Sequence, residues 1–113
     1  MSVLFTGSSA VTTVFVQKGK DLLLHVEKPV ELVDHSEFKW TFNTTHNVVR
    51  LFHDNKIRIL PSYEGRVEFS LQNHSFILKN VQQADSGHYT ALIAGEKNYH
   101  VAEYKVIIQG RFL

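Results

Sequence analysis

Apolar and polar residues alternate in short runs along most of this chain, and turn residues separate the runs. Leu22, Leu24 and Val26 share one face of a run over 21–27, and Phe38, Trp40 and Phe42 share one face of a run over 37–42. Val67, Phe69 and Leu71 alternate within 65–71, Phe76 and Leu78 point inward within 75–81, and Ala102, Tyr104, Val106 and Ile108 line one face of 99–109. Further strands are expected over 48–53, 56–60 and 88–94, with edge pieces over 1–6 and 11–16. Turns are expected at Gly7-Ser8-Ser9, Gln17-Lys18-Gly19-Lys20, Asn43 to Asn47, Asp54-Asn55, Gln72-Asn73-His74 and Gly95-Glu96-Lys97-Asn98. A loop holding Pro29 and Asp34, a bend at Pro61-Ser62 and one helical turn over 82–85 complete the pattern. No long stretch keeps a period of 3.6. The reading is all-β, with roughly nine or ten short strands.

One segment constrains how those strands are arranged. Asp85-Ser86-Gly87-His88-Tyr89-Thr90-Ala91 reads Asp-x-Gly-x-Tyr-x-Ala. In immunoglobulin-type sandwiches a Tyr near the start of strand F stands two residues before the second cysteine of the inter-sheet disulfide. That spacing is kept here, with Ala91 in the cysteine's place. The period of two puts Tyr89, Ala91 and Ile93 on one face, and the Tyr89 hydroxyl can reach back to the corner backbone. The remaining parts have candidates: Trp40 for the strand C tryptophan, Val26 for the first cysteine position, and Arg66 as an ion-pair partner for Asp85. Val26 and Ala91 are expected to pack against Trp40. The two extra strands between residues 48 and 60 fit a variable-type sandwich of two antiparallel sheets. Residues 1–113 are expected to form one such domain, with its core over about 11–109.

Composition narrows the functional classes. The chain has no cysteine, which excludes a disulfide, a zinc–thiolate site and a thiol nucleophile. Its net charge of +1, with Lys and Arg scattered, gives no nucleic-acid or membrane-surface footprint. No apolar run is long enough to span a bilayer. The first five residues are too short for a signal peptide, so an extracellular origin implies a mature fragment whose signal and anchor are absent. The seven histidines show no paired metal-ligand spacing, and no nucleophile elbow, P-loop or dinucleotide fingerprint occurs. No cofactor, metal or catalytic activity is expected.

Phe38-Lys39-Trp40, the run Tyr63-Glu64-Gly65-Arg66-Val67-Glu68-Phe69, and the run from Phe76 through Asn80 and Asp85 to Tyr89 resemble the membrane-distal variable-type domain of the signalling lymphocytic activation molecule (SLAM) family and its relatives among lymphocyte adhesion receptors. Those first domains commonly lack the inter-sheet disulfide. The amino-terminal domains of carcinoembryonic-antigen-related adhesion molecules also lack it, and they resemble the Gly19-Lys20-Asp21-Leu22-Leu23-Leu24 run. The resemblance implies recognition of a related immunoglobulin-superfamily receptor on an apposed cell, or of the chain itself as a weak homodimer, on the extracellular side of a membrane. It implies binding through the sheet of strands G, F, C, C′ and C″. The alternation opposite to the core then nominates Lys39 and Thr41 on C, Arg50 and Phe52 (with Asp54 beyond them) on C′, and His88, Thr90 and Leu92 on F. Glu96 and Lys97 follow in the turn, and Tyr99, Val101, Glu103 and Lys105 on G. Apolar groups among charges of both signs suit a weak, selective interface; a solvated sheet face is the plain alternative. A soluble or pathogen-encoded decoy is a rival role, and a small enzyme or metal protein on the same scaffold is another.

Two sequons fall on expected turns: Asn43-Thr44-Thr45 and Asn73-His74-Ser75. Asn43 and Asn73 are the expected glycan acceptors, and Asn43 is expected near the binding face.

Overall fold

The computed structural model describes residues 11–28 and 30–110. The expected edge piece over 1–6, the Gly7–Ser9 loop and Pro29 lie outside them. Nine strands follow in chain order: β1 (Thr12–Gln17), β2 (Leu22–Leu24), β3 (Glu37–Phe42), β4 (His46–Phe52), β5 (Ile57–Ile59), β6 (Val67–Phe69), β7 (Phe76–Leu78), β8 (Gly87–Ala94) and β9 (Tyr99–Gln109). Two 3-10 turns, Pro61–Tyr63 and Gln83–Asp85, join them. The strands form a six-stranded sheet in the order β1-β9-β8-β3-β4-β5 and a three-stranded sheet in the order β2-β7-β6. All pairs are antiparallel except the edge pair β1–β9, which is parallel.

The core lies between the sheets. Trp40, Tyr89, Phe38 and Phe76 are its largest fully buried side chains. Trp40 stacks on Phe76 with centroids 5.5 Å apart, and Phe38 meets Trp40 edge-on at 6.3 Å. The indole Nε1–H donates to the His74 carbonyl at 2.9 Å, so the one polar atom of Trp40 is satisfied. Ala91 is fully buried and faces Trp40 in register across β8–β3. The expected corner is present. Tyr89 Oη donates to the Asp85 carbonyl at 2.6 Å, and Arg66 Nη2 donates to Asp85 Oδ2 at 2.8 Å. Burial raises the Tyr89 phenol well above its ordinary pKa, so it remains a donor.

Three strands are shorter than the alternation suggests, because a backbone group is taken elsewhere or the backbone turns into the left-handed region. β2 ends at Leu24, since the next carbonyl, His25, accepts the Tyr104 hydroxyl at 2.7 Å from the opposite sheet. Val26 therefore lies past the strand and only partly buried, and it fills less of the core than a disulfide position would. β6 is bounded by the turn at Gly65 (φ +83) and by the His74 N–H to Ser70 carbonyl bond at 2.8 Å. β7 stops before Asn80, whose φ is +52. β4 instead starts earlier than expected. Asn43 (φ 51) and Thr44 (φ 61) make a tight turn closed by the Thr45 N–H to Phe42 carbonyl bond at 3.2 Å, and pairing resumes at His46. Positive φ at both central residues is the pattern of a type I′ hairpin turn.

His74 is half-buried against Phe38 and Phe69, with centroid distances of 5.0 and 6.0 Å. Burial lowers its pKa below the ordinary value of 6.5. The unfolded chain then takes up the proton more readily than the folded one. This contribution to stability is complete above about pH 6.5 and is lost as pH falls below it. We expect His74→Asn, which tolerates the left-handed backbone (φ 62), to flatten that loss. Urea midpoints for both proteins at about pH 7.5 and about pH 5 check it; equal drops would remove His74 from the account.

Candidate protein-recognition face

One face of the six-stranded sheet packs on the core, and no described element covers the other. Register defines its rows. Lys39 lies between Leu92 and Arg50, and Glu37 lies opposite Phe52. Thr41 lies opposite Thr90, which lies opposite Glu103, and His88 lies opposite Lys105. At the β5 edge Arg58 lies opposite Arg50. At the β1 edge Phe15, 60% exposed, lies beside Ile107.

The charged centre of this face is organised by Arg50. Its Nε donates to Glu37 Oε2 at 2.9 Å and its Nη2 to Glu37 Oε1 at 3.1 Å, a bidentate pair. The guanidinium also sits over the Phe52 ring at 5.0 Å. The hydrogen bond to Glu37 raises the Arg50 pKa above its already high ordinary value, so the charge is fixed at any physiological pH. The side chains here are pre-positioned, which reduces what a partner must order.

Two bulges decide which side chains reach the face. Between Trp40 and Thr41 the pairing skips Val48, whose side chain is fully buried, and this keeps Arg50 and Phe52 outward as expected. Between Ala91 and Leu92 it skips Val101. In a regular strand residues three apart lie on opposite faces, yet His100 Nδ1 and Glu103 Oε1 are 2.7 Å apart. The extra residue has turned His100 to the outer face.

The expected set is corrected accordingly. Val101 is the bulged residue and packs half-buried against the core. Tyr99 moves to the row of Ile93, at the open end of the sandwich, where it is 59% exposed. Thr41, Thr90 and Leu92 are buried, against expectation. They lie on the central strands β3 and β8, with Leu92 between Lys39 and His100 in register and Thr90 between Thr41 and Glu103, where the stems of long neighbours can shield smaller groups from water. Thr41 Oγ1 also donates to the Thr90 carbonyl at 3.4 Å. They form the floor of the face rather than its contacts. Lys39, Arg50, Phe52, His88 and Glu103 stay on the outer face. Glu96 and Lys97 are exposed in the β8–β9 turn, beside a groove of ≈ 670 Å³ that Val33, Asp34 and Tyr99 also line. Sequence reasoning missed Glu37, His100 and Phe15. Glu37 was available, one step before Lys39 in the same alternation.

Among the described residues no three His, Asp or Glu side chains come together to hold a metal ion. Among the same residues no helix is long and apolar enough to cross a membrane.

No protein-family model matches the sequence, and no curated protein matches it. Solved structures do. The first immunoglobulin-like domain of human CD48 antigen superposes with a TM-score of 0.77 at 15% identity, over 100% of this chain and 93% of that one. CD84, described in terms of SLAM-family function, gives 0.65 at 17% identity, over 90% of this chain and 100% of that one. Murine CEACAM1b gives 0.68 at 22%, over 88% of this chain and 51% of that one. Both resembled groups are represented, so the likeness does not choose between them. With these superpositions and its two-sheet topology, the chain is an immunoglobulin-like V-type sandwich built without cysteine.

Proposed function

We propose that the outer face of the six-stranded sheet binds a related immunoglobulin-type domain on an apposed cell, a paralogue or a second copy of this chain. The domain acts on the extracellular side as an adhesion and immune-recognition module and carries no catalytic residues. The observation that carries this reading is the face itself. A pre-positioned Glu37–Arg50–Phe52 cluster and the charges of Lys39 and Glu103 stand on a sheet surface that no described element covers. Exposed aromatic groups among alternating charges suit a selective, transient contact more than a tight one. The SLAM-type resemblance of the strand motifs and the adhesion-type structural neighbours support it.

The test is a binding screen of the chain against itself and against V-type ectodomains of the SLAM and carcinoembryonic types, with sedimentation across concentration for self-association. Lys39→Glu and Glu103→Lys should each weaken binding by about tenfold or more, equivalent to about 1.4 kcal/mol. Melting temperature should move little for Lys39→Glu, a change on the solvated face, and somewhat more for Glu103→Lys, which also loses the 2.7 Å contact with His100. Binding that survives both reversals overturns the assignment of the face.

A further inference from the structure

Asn43 is held in an unusual way for an exposed turn residue. Its backbone N–H donates to the His88 carbonyl at 2.7 Å, and its side-chain Oδ1 accepts the His88 N–H at 2.8 Å. A backbone N–H can only donate, so the side-chain oxygen must be the atom that faces it. The amide nitrogen, Nδ2, is therefore the end left for solvent, and among the described residues it donates to no protein group. The neighbouring strand is shaped to allow this. A Cβ on Gly87 would lie 2.5 Å from Asn43 Oδ1 and 2.7 Å from Phe42 Cε1. The φ of +51 at Asn43 is one that Asn adopts more readily than most residues.

Asn43-Thr44-Thr45 is also an acceptor sequon. We propose that Asn43 carries an N-linked glycan that covers the Asn47–His88 end of the outer face, leaving a partner the half around Glu37, Arg50, Phe52 and His100. The consequence for the partner rests on the recognition reading above; the covering does not. In the transfer step a lipid-diphosphate-linked oligosaccharide is the donor. The bond between its anomeric carbon and the diphosphate oxygen breaks, a bond from that carbon to Nδ2 forms, Nδ2 loses one proton, and the lipid diphosphate leaves. The side-chain carbonyl is untouched, so its bond to His88 persists in the glycosylated domain. The sugar's position follows from the same lock. Nδ2 is fixed at the end of β3 beside the start of β8, next to His88, which is exposed. Asn73 differs: it lies in the β6–β7 turn of the three-stranded sheet, and its Oδ1 accepts Ser75 Oγ at 2.6 Å. A sugar there leaves the outer face clear.

The test needs no partner. The chain is produced as a secreted protein in mammalian cells and, unglycosylated, in bacteria. Glycopeptide mass spectrometry reads occupancy at Asn43, and diethylpyrocarbonate labelling reads the accessibility of each histidine. The glycosylated chain should label several-fold more slowly at His88, with His53 and His100 unchanged. Thr45→Ala made in mammalian cells should lose the Asn43 glycan and regain the bacterial rate at His88, and Thr45→Ser, which keeps the sequon, should not. An empty Asn43, or an occupied one with His88 still labelling at the bacterial rate, overturns the proposal. A glycan that shields in this way while the partner screen stays negative would remove the recognition reading and leave this one standing.

Discussion

Trp40→Ala should destabilise the domain by about 3–5 kcal/mol, the range for truncating a large buried aromatic. Domains of this size have only about 5–15 kcal/mol in total. Trp40 is fully buried, stacked on Phe76, edge-on to Phe38, and 6.2 Å from Tyr104. A cavity there opens between the sheets at the point where a disulfide would otherwise join them, and no covalent tie limits the damage. Such a tie typically adds about 2–5 kcal/mol, so the variant should be largely unfolded at 37 °C. Trp40→Phe separates ring from donor. It keeps most of the apolar contact but loses the 2.9 Å bond to the His74 carbonyl, and should cost about 1–2 kcal/mol. Circular dichroism during urea titration measures both, since Trp40 is the only tryptophan. A loss under about 1 kcal/mol for Trp40→Ala would mean that the sheets close over the gap and that the ring is not the centre of the core.

The second large effect is expected at the corner. Asp85 is buried, accepts from Arg66 Nη2 and from the Gln82 backbone N–H at 2.8 Å each, and completes a capping box on the Gln83–Asp85 turn. Asp85→Ala should cost about 3 kcal/mol, the lower end for breaking a buried pair. The lower end applies because Arg66 keeps its bonds to the Lys79 and Asn80 carbonyls, and its side chain is 35% exposed. Each kcal/mol lowers the melting temperature of such a domain by about 4–8 °C. Arg66→Ala leaves the carboxylate with its backbone donor alone. The double variant Arg66→Ala/Asp85→Ala should lose less than the sum of the two single losses, because each single change strands a charge that the double removes. Additive losses would show that the two side chains are held independently.

How much of this was legible in the sequence depends on how far apart the deciding residues lie. The corner was readable because its parts are close in the chain. Asp85, Gly87 and Tyr89 span five positions, and the spacing alone orients the phenol toward the turn. The inward rows were readable for the same reason, since a period of two needs no partner strand. The outer face was harder. Whether Tyr99 or His100 points outward is set by a bulge against Leu92, on another strand, and nothing in Tyr99-His100-Val101 announces it. Burial on that face was also hidden. Thr41, Thr90 and Leu92 have the right parity for solvent, but all three are buried among residues brought in by other strands. Strand lengths failed where a long-range bond intervened, as when Tyr104 takes the His25 carbonyl. Val26 lost its expected place there, while Ala91, fixed by its own strand's motif, kept its own.

The one parallel pairing in the larger sheet has a mechanical meaning. β1 and β9 run side by side in the same direction, in register from Thr12–Tyr104 to Gln17–Gln109. Tension applied between the start of β1 and the end of β9 pulls the two strands along their own axes in opposite senses. Their hydrogen bonds then resist together, in shear, instead of opening one at a time from an end. Once that seam slips, no cross-link between the sheets arrests extension. Each residue released can add up to about 3.3–3.6 Å of length. A domain that grips a neighbouring cell would hold under force through this seam, and would yield by unravelling along its whole strand sequence.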